Sequence, residues 1–257
     1  MRVPMRRGAT PFARVLLGCL ALAVAPAAAL AAAPGDTALI RAPQPADAAH
    51  CVDPSTLDLA RILPPPPPAG SAKERSELNE LLRIQANRTQ VQADQARRDA
   101  EVSIFRFADA LGNPSGFTRR NLPLTVELFQ HLGVDESSVL RAAKHEFDRP
   151  RPFTVEPRLN PVIARPSSAS YPSGHSTWAY ATALVLADMV PERRAQILAR
   201  ADQFAHNRSV AGVHYPSDVE AGRLAGTTLA ALLFDCVPFE KEEAAAKVEL
   251  RKALDLH

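Results

Sequence analysis

Two segments of this chain are apolar on nearly every face of a helix, and they constrain the fold more than any other feature. The first, TWAYATALVLADMV, starts at Thr177, and the second, RLAGTTLAALLFDCV, starts at Arg223. A helix that is apolar all round is either a membrane span or the centre of a protein core. Both segments are shorter than the roughly 18 to 20 apolar residues that a bilayer requires. They are therefore expected to be the two central helices of a bundle.

The remainder of the chain carries start and stop signals of helices. Ser-x-x-Glu from Ser71 and Thr-x-x-Gln from Thr89 have the spacing of capping boxes, and Gly112 and Gly133 stand where helices should end. After a first helix that presents Leu78, Leu81 and Leu82 on one face, the predicted helices span about 90–111, 122–132, 135–147, 174–189, 191–206, 217–234 and 239–255. No strand alternation or internal repeat is found. The sequence predicts an all-α, single-domain helical bundle over residues 71–257.

Residues 1–31 have the pattern of a secretory signal peptide. Four arginines precede or border the apolar stretch from Val15 to Val24, and Ala29-Leu30-Ala31 has the A-x-A form of a cleavage site. A lipoprotein site at Cys19 fits less well, because the apolar run continues beyond it. The apolar stretch is too short for a stable membrane span. The mature chain is expected to be periplasmic or secreted.

Residues 32–70 form a leader rich in alanine and proline that ends in ILPPPPPAG. Its five consecutive prolines force an extended polyproline segment, interpreted as a stiff strap on the domain. Removal of the signal peptide takes four arginines, so 30 basic residues become 26 against 28 acidic ones and the net charge changes from +2 to −2. Such a chain does not bind polyanions by bulk charge, and nucleic acid is not an expected partner.

Two cysteines, Cys51 and Cys236, remain in the expected mature chain. In an oxidising compartment they can pair in a disulfide that joins the two ends of the domain. Two unpaired buried thiols are the alternative.

Each central helix follows a polar turn that contains a histidine. One turn is Ser173-Gly174-His175, and the other runs from His214 to Asp218. Helix N-termini present unpaired N–H groups and the positive end of the helix dipole, so two of them in one cleft make an anion site. Gly174 allows close approach of an anion, Ser173 offers a hydroxyl, and His175 can exchange a proton.

Three cations could converge on a doubly negative group bound at these turns. They are Lys144, Arg151 and Arg208. The planar guanidinium forks of the two arginines suit phosphate oxygens.

The three segments have the order and internal spacing of a known signature. They are Lys144-x6-Arg151-Pro152, Pro172-Ser173-Gly174-His175 and Arg208-x5-His214-x3-Asp218. The pattern resembles the signature of the type 2 phosphatidic acid phosphatase superfamily. The surrounding SYPSGHS, the signal peptide and the proline strap are most similar to its soluble branch, the bacterial class A non-specific acid phosphatases.

This resemblance implies a helical fold like that of vanadium haloperoxidases and a phosphomonoesterase that uses no metal cofactor. His214 would attack phosphorus, Asp218 would hold its other ring nitrogen, and His175 would protonate the leaving group and later activate water. The phosphate oxygens would be held by Lys144, Arg151, Ser173, Gly174 and Arg208. The expected partners are small phosphomonoesters and inorganic phosphate, with the organic half of the substrate unidentified and homo-oligomer formation left open.

The chain departs from the usual pattern next to Arg208. Asn207 stands where the motif usually has serine, and we expect this to tune the loop without loss of activity. Arg149 also precedes a proline, but the spacing from Lys144 favours Arg151. A surface or supporting ion pair is the favoured interpretation of Arg149 over a phosphate contact.

Other chemistries fit the sequence less well. HEFDR lacks the second histidine of a zinc protease motif. The remaining histidines either lack a partner at a matched spacing or belong to expected tails, so no metal site is predicted; they are His131, His145 and His206, and His50 and His257, respectively. Ser173 as a hydrolase nucleophile would need a strand-turn-helix elbow. A vanadium-dependent haloperoxidase and a phosphate-binding protein without turnover remain as alternatives.

Overall fold

The computed structural model describes residues 49–256, and this part of the chain is helical. The expected signal peptide and residues 32–48 of the expected leader lie outside the described residues. Helices are α1 Leu59–Ile62, α2 Ala72–Asn87, α3 Gln90–Arg98, α4 Pro123–Phe147, α5 Pro152–Val155, α6 Gly174–Met189, α7 Arg194–Val210, α8 Pro216–Phe234 and α9 Val237–Ala253, with 3-10 helices at Ile104–Phe107 and Pro191–Arg193. Residues 49–256 contain no strand, which confirms the all-α class. No helix within them combines the length and apolar character of a membrane span.

The long helix α4 corrects the prediction that Gly133 ends a helix. It runs without interruption through Gly133, where an added Cβ would meet no atom within 4 Å. Glycine inside a helix costs only about 1 kcal/mol relative to alanine. The burial of Leu128, Leu132 and Val139 on one face of α4 outweighs this cost.

The helix predicted for residues 90–111 is shorter than expected. It ends at Arg98, and only Ile104–Phe107 forms a further, 3-10 helix. The next residue, Asp99, is fully buried and accepts hydrogen bonds from Arg200 Nη1 at 3.0 Å and Asn207 Nδ2 at 2.7 Å. This tertiary anchor turns the chain away from the helix axis.

Two glycines let the central helices α6 and α8 pack backbone against backbone. An added Cβ on Gly226 would lie 2.3 Å from the carbonyl oxygen of Thr177, and one on Gly222 would lie 2.6 Å from that of Ser173. Real Cβ atoms do not approach other atoms this closely. The short distance between α6 and α8 therefore depends on the absence of a side chain at Gly222 and Gly226 of α8.

The described part of the leader, residues 49–70, belongs to the folded domain. Val52, Leu57 and Leu63 are buried in the core, and α1 lies within this segment. The proline strap follows, and the hydroxyl of Tyr171 donates a hydrogen bond to the Pro64 carbonyl. The leader is thus not extended throughout, and the strap passes close to the turn that precedes α6.

A disulfide joins Cys51 and Cys236, whose Cα atoms are 6.0 Å apart. This confirms the pairing rather than the alternative of two free thiols. The bond links residues that are 185 positions apart. It ties the N-terminal segment to the start of α9.

The packing of α6 on α8 gives a test of stability. Gly226→Ala should lower the free energy of unfolding by roughly 1 to 3 kcal/mol, because the new methyl group must displace backbone atoms. Gly133→Ala is the matched control, since its methyl group meets no neighbour and should be neutral or stabilising by up to about 1 kcal/mol. Urea unfolding of both variants measures the difference. Equal effects of the two substitutions would contradict the close packing.

Candidate active site

The candidate site lies where the N-termini of α6 and α8 meet. Ser173 caps α6, and its Oγ accepts a hydrogen bond from the Ser176 N–H at 3.4 Å. The Ser173 N–H in turn donates to the main-chain carbonyl of Asp218, in the first turn of α8, at 3.0 Å. The two turns singled out in the sequence are therefore in direct contact, and the positive ends of two helix dipoles come together there.

The hydrogen bonds of His214 define the state of its ring. Arg151 Nη1 lies 2.8 Å from His214 Nε2, and Asp218 Oδ2 lies 3.3 Å from His214 Nδ1. Because a guanidinium can only donate, Nε2 must carry the lone pair and Nδ1 the hydrogen. Burial, followed by the charges of Arg151, Lys144 and Arg208, holds the pKa of His214 well below 6.5. His214 is therefore a neutral imidazole with an unshared electron pair on Nε2.

Asp218 is held in place by four donors from its surroundings. Besides the His214 ring, its carboxylate accepts hydrogen bonds from the Tyr215 N–H at 2.9 Å, the Ser170 hydroxyl, and Arg149 Nη1 at 2.6 Å. The side chain has no solvent-exposed surface. Its orientation toward Nδ1 is thus set by the fold.

Arg149 forms buried ion pairs, as expected, but it does not lie at the surface. Only 4% of its side chain is exposed, and it bridges Asp218 and Glu77, with Nη2 at 3.1 Å from the Glu77 carboxylate. Its guanidinium carbon lies 3.7 Å from the centre of the Tyr215 ring. Ser217 completes the group by accepting from Arg149 at 2.8 Å and donating to Glu77 at 2.9 Å. Arg149 therefore helps to hold the Asp218 carboxylate in place.

Carbonyl groups hold two cations, the buried Arg151 and the half-buried Lys144. Arg151 Nε donates to the Ser168 carbonyl at 2.8 Å, Arg151 Nη1 to that of Val213 at 2.9 Å, and Lys144 Nζ to that of Ala169 at 2.7 Å. Burial, followed by the charge of Arg151, lowers the pKa of Lys144 to about 8. Burial likewise lowers the pKa of Arg151 to about 10. Carbonyl groups orient these cations without neutralising them.

Arg208, on the last turn of α7, is the third cation. It is 2% exposed, and its Nε and Nη1 atoms have no hydrogen-bond partner within the described residues. Burial lowers the pKa of Arg208 to about 9, followed by the charge of Arg151, while Asp99 raises it. A buried guanidinium with unused donors is costly unless an anion reaches it.

His175, in the first turn of α6, also has a defined tautomer. Its Nε2 lies 3.0 Å from the Ala100 carbonyl oxygen, so Nε2 carries the hydrogen and Nδ1 the lone pair. Burial lowers the pKa of His175 well below 6.5, and the charge of Arg208 adds to this effect.

A cavity of about 380 Å³ adjoins these groups. Its lining includes Lys144, Gly174 and His175, together with Glu136 and Leu140 from α4. A Cβ on residue 174 would approach Leu140 Cδ1 to 3.3 Å and Glu136 Oε1 to 3.4 Å. Glycine at this position therefore keeps the wall of the cavity next to the backbone of α6.

The structure brings the sequence-predicted site residues into one region. Arg151, His214 and Asp218 form a hydrogen-bonded chain, and Ser173 contacts Asp218. The charges of Lys144 and Arg208 act on His214, and those of Arg208, His214 and Arg151 act on His175. Sequence reasoning missed Glu77, Ser170 and Glu136, because no local motif distinguishes them. Glu77 and Ser217, for example, are 140 positions apart.

The sequence pattern of the PAP2 superfamily matches residues 129–242, which contain all three predicted motifs. A non-specific acid phosphatase from Salmonella typhimurium is 30% identical over 198 residues, which are 73% of this chain and 78% of that protein. The chain belongs to the PAP2 superfamily. A non-specific acid phosphatase from Providencia stuartii is 29% identical over 205 residues, which are 76% of the PAP2 chain and 82% of the relative.

The fold of this PAP2 chain is shared with more distant proteins. It is similar to the crystal structure of a bacterial vanadium-dependent iodoperoxidase, with a TM-score of 0.54 and 21% sequence identity. The match covers 71% of the PAP2 chain and 54% of the iodoperoxidase chain, so this chain spans about half the length of that protein. At this identity the likeness shows the fold alone.

The buried carboxyl of Glu136 predicts a pH dependence of stability in this PAP2 chain. Burial raises its pKa from 4.5 to about 8, against the charge of Lys144. Between these pH values the folded protein keeps a proton that the unfolded chain has released. The contribution of Glu136 to stability is thus complete below pH 4.5 and is lost as the pH rises to about 8.

Glu136→Gln removes this titration. Its free energy of unfolding should fall less steeply between pH 4.5 and 8, by up to about 1.4 kcal/mol per pH unit relative to the wild type. Urea unfolding at several pH values measures the slopes. Glu146→Gln, an exposed position on the same helix, should keep the wild-type slope. A wild-type slope in Glu136→Gln would mean that Glu136 is ionised in the folded protein.

Proposed function

We propose that this PAP2 protein is a secreted acid phosphatase that hydrolyses phosphomonoesters of broad structure through a phosphohistidine on His214. The observation that carries the proposal is the lone pair on His214 Nε2, which faces buried cations while Asp218 holds Nδ1 from behind. A neutral imidazole with this orientation is a nucleophile.

In the first step, His214 Nε2 attacks the phosphorus atom of the ester. The P–N bond forms as the bond between phosphorus and the leaving oxygen breaks, and protonated His175 donates its proton to that oxygen. The hydrogen on His214 Nδ1 stays in place, so the ring becomes positively charged. Asp218, 3.3 Å away, stabilises this charge.

In the second step, a water molecule attacks the phosphorus atom of the phosphohistidine. His175, now neutral, accepts a proton from this water as the P–O bond forms. The P–N bond breaks and its electrons return to Nε2 as the lone pair. Inorganic phosphate leaves, and His214 is again neutral.

The cations hold the phosphate oxygens during both steps. Arg151 Nη1 already points at Nε2, so a phosphate that arrives there meets its N–H group directly. Arg208 offers the unused donors on Nε and Nη1, and Lys144 and the N-terminus of α6 complete the set. Donors that are placed before the reaction stabilise the charge that develops on the equatorial oxygens.

The lowered pKa of His175 predicts higher activity under acidic conditions. Burial, followed by the charges of Arg208 and Arg151, disfavours its protonation, so little of the protonated acid form is present near neutral pH. A bound phosphate ester opposes these positive charges and favours the protonated ring. Low pH has the same effect, and protonated His175 is the form that the first step needs.

The cavity beside His175 can hold the organic part of the ester. Val102, Leu140 and Trp178 give it apolar walls, and Arg141 adds a charge at an exposed position. Such a lining contacts an organic group without a dense set of directional hydrogen bonds. This supports broad specificity, with recognition concentrated on the phosphoryl group.

A location outside the cytoplasm is consistent with two features. The Cys51–Cys236 disulfide belongs in an oxidising compartment. Residues 1–31 have the pattern of a signal peptide. We therefore propose a periplasmic or secreted enzyme.

A vanadium-dependent haloperoxidase is the alternative within the shared fold, because His214 and the three cations would also fit vanadate, an oxyanion shaped like phosphate. The acid phosphatase is favoured because relatives with that name are matched over 78% to 82% of their length, against 54% of the iodoperoxidase. A phosphate-binding protein without turnover would need the cations alone. It would have no use for a nucleophile aligned by a buried carboxylate.

The decisive experiment traps the intermediate on the purified chain. After brief mixing with labelled phosphomonoester and denaturation at alkaline pH, label should be found on His214 in a form that is stable to base and labile to acid. His214→Ala should form no adduct and lose at least about 10⁴-fold in kcat/KM. Asp218→Asn should form it slowly, by analogy with the roughly 10⁴-fold loss for the carboxylate in the serine protease triad.

The exposed His145 provides the control, and His145→Ala should keep wild-type activity. Phosphate release should not change with EDTA. Full activity of His214→Ala, or label on Ser173, would overturn the mechanism. Halide oxidation by hydrogen peroxide in the presence of added vanadate, without phosphate release, would favour the haloperoxidase.

A second prediction separates the role of His175 from that of His214. His175→Asn should reduce kcat on alkyl phosphates by about 10² to 10⁴-fold, because an alkoxide leaves poorly without a proton. Aryl phosphates, whose leaving oxygen needs little protonation, should lose much less in the first step. Steady-state kinetics on matched alkyl and aryl esters, with burst measurements for the first step, give the comparison. Equal losses in that step would exclude the general-acid role.

A further inference from the structure

A second group of chemically active side chains lies beside the N-terminal half of α4, away from Lys144. His50 Nε2 is 3.0 Å from Glu242 Oε1, and His131 Nδ1 is 2.8 Å from Glu242 Oε2. Each of the three side chains is about 30% exposed. His131 precedes Lys144 by 13 residues on one helix, which is a distance of about 20 Å. This group is therefore separate from the candidate active site.

The spacing of the three ligand atoms suits a metal ion. One ring nitrogen from each histidine and one carboxylate oxygen lie within 4.8 Å of one another. In tetrahedral zinc sites with bonds of about 2.0 to 2.2 Å, neighbouring ligand atoms are about 3.3 Å apart. Small side-chain adjustments would thus bring all three atoms to bonding distance of one ion.

The ring nitrogen of His50 supplies an independent observation. Although Nε2 lies 3.0 Å from Glu242, this buried atom forms no hydrogen bond within the described residues. The two histidine rings are stacked, with centroids 4.2 Å apart and planes tilted by 18°, so both present a nitrogen to the same carboxylate. An ion between these atoms would give this nitrogen a directed bond, whereas the protein offers it only a nearby carboxylate without hydrogen-bond geometry.

The backbone holds the ligands in place. Asp135, one turn after His131 on α4, accepts the N–H groups of His50, Cys51 and Val52, with the N–H of Cys51 at 3.0 Å and that of Val52 at 3.2 Å. Cys51 is bonded to Cys236, which precedes α9, the helix that carries Glu242. Ligands that are already positioned lose little freedom on binding.

We propose that His50, His131 and Glu242 form a Zn²⁺ site with three protein ligands and a water molecule in the fourth position. Two imidazoles and a carboxylate are ligands that zinc favours. The ion would tie the N-terminal segment to α4 and α9, beside the disulfide. Its role would be to stabilise the fold, because an ion that binds only the folded state raises the stability.

The linear sequence does not reveal this site. His131 and Glu242 are 111 positions apart, and His50 was expected in a tail. The lack of a zinc motif in the sequence therefore excludes only a site whose ligands lie close together along the chain.

The test uses tag-free chain from residue 32 onward, with its disulfide intact, freed of metal by a chelator. Calorimetric titration with Zn²⁺ should show one tight site, and Co²⁺ should produce visible absorption bands of a low-symmetry complex. The dissociation constant for Zn²⁺ should rise at least tenfold in His131→Gln and in Glu242→Gln. Stoichiometric Zn²⁺ should raise the Tm of the wild type but not of these variants.

Two controls distinguish other sources of binding. His145→Gln removes an exposed histidine outside the cluster and should bind Zn²⁺ like the wild type. His214→Ala should also keep the site, since the buried cations around His214 repel a metal ion. No stoichiometric binding to the wild type, or undiminished binding in a folded His131→Gln or Glu242→Gln, would overturn the proposal. Binding lost in His214→Ala but kept in His131→Gln would place the ion in the active site and overturn it equally.

Discussion

The contact between α6 and α8 is the constraint on which the rest of the structure depends. With side chains at Gly222 and Gly226, the backbones of the two helices could not approach as they do. The close approach brings the two helix N-termini together, down to a hydrogen bond from the Ser173 N–H to the Asp218 carbonyl. The proposed nucleophile, His214, lies just before α8, and the proposed acid, His175, lies in the first turn of α6. Their relative position is therefore a property of helix packing rather than of flexible loops.

The charges around His214 are arranged in two layers. On the Nδ1 side of the ring, Asp218, Arg149 and Glu77 form a buried group of paired charges. On the Nε2 side, carbonyl groups orient Lys144 and Arg151, and two nitrogen atoms of Arg208 have no hydrogen-bond partner within the described residues. Paired buried charges hold a side chain in place, whereas unpaired ones favour the binding of an opposite charge. The same fold thus provides a rigid support and an anion site within a few ångströms.

The N-terminal segment contributes to stability from outside the central pair. The Cys51–Cys236 bond spans 185 positions, and the chain-entropy model assigns such a loop a stabilisation of roughly 5 kcal/mol at most. Asp135 adds hydrogen bonds to three consecutive N–H groups of the segment. Residues that looked like a leader in the sequence are for this reason part of the folded domain.

The sequence by itself determined the helical class, the central pair and the three motifs, because apolar periodicity, caps and motif spacing are local properties. It predicted both ends of α6 correctly, where a capping serine and an apolar run agree. It was wrong at Gly133, where burial along α4 outweighs a weak local preference, and at Arg98, where the buried Asp99 redirects the chain. Only the tertiary structure decided that Arg149 supports Asp218, that Glu77 and Ser170 join it, and that His50 meets His131. Those pairings join residues tens of positions or more apart, and their energies depend on burial and distance, which exist only once the helices have packed.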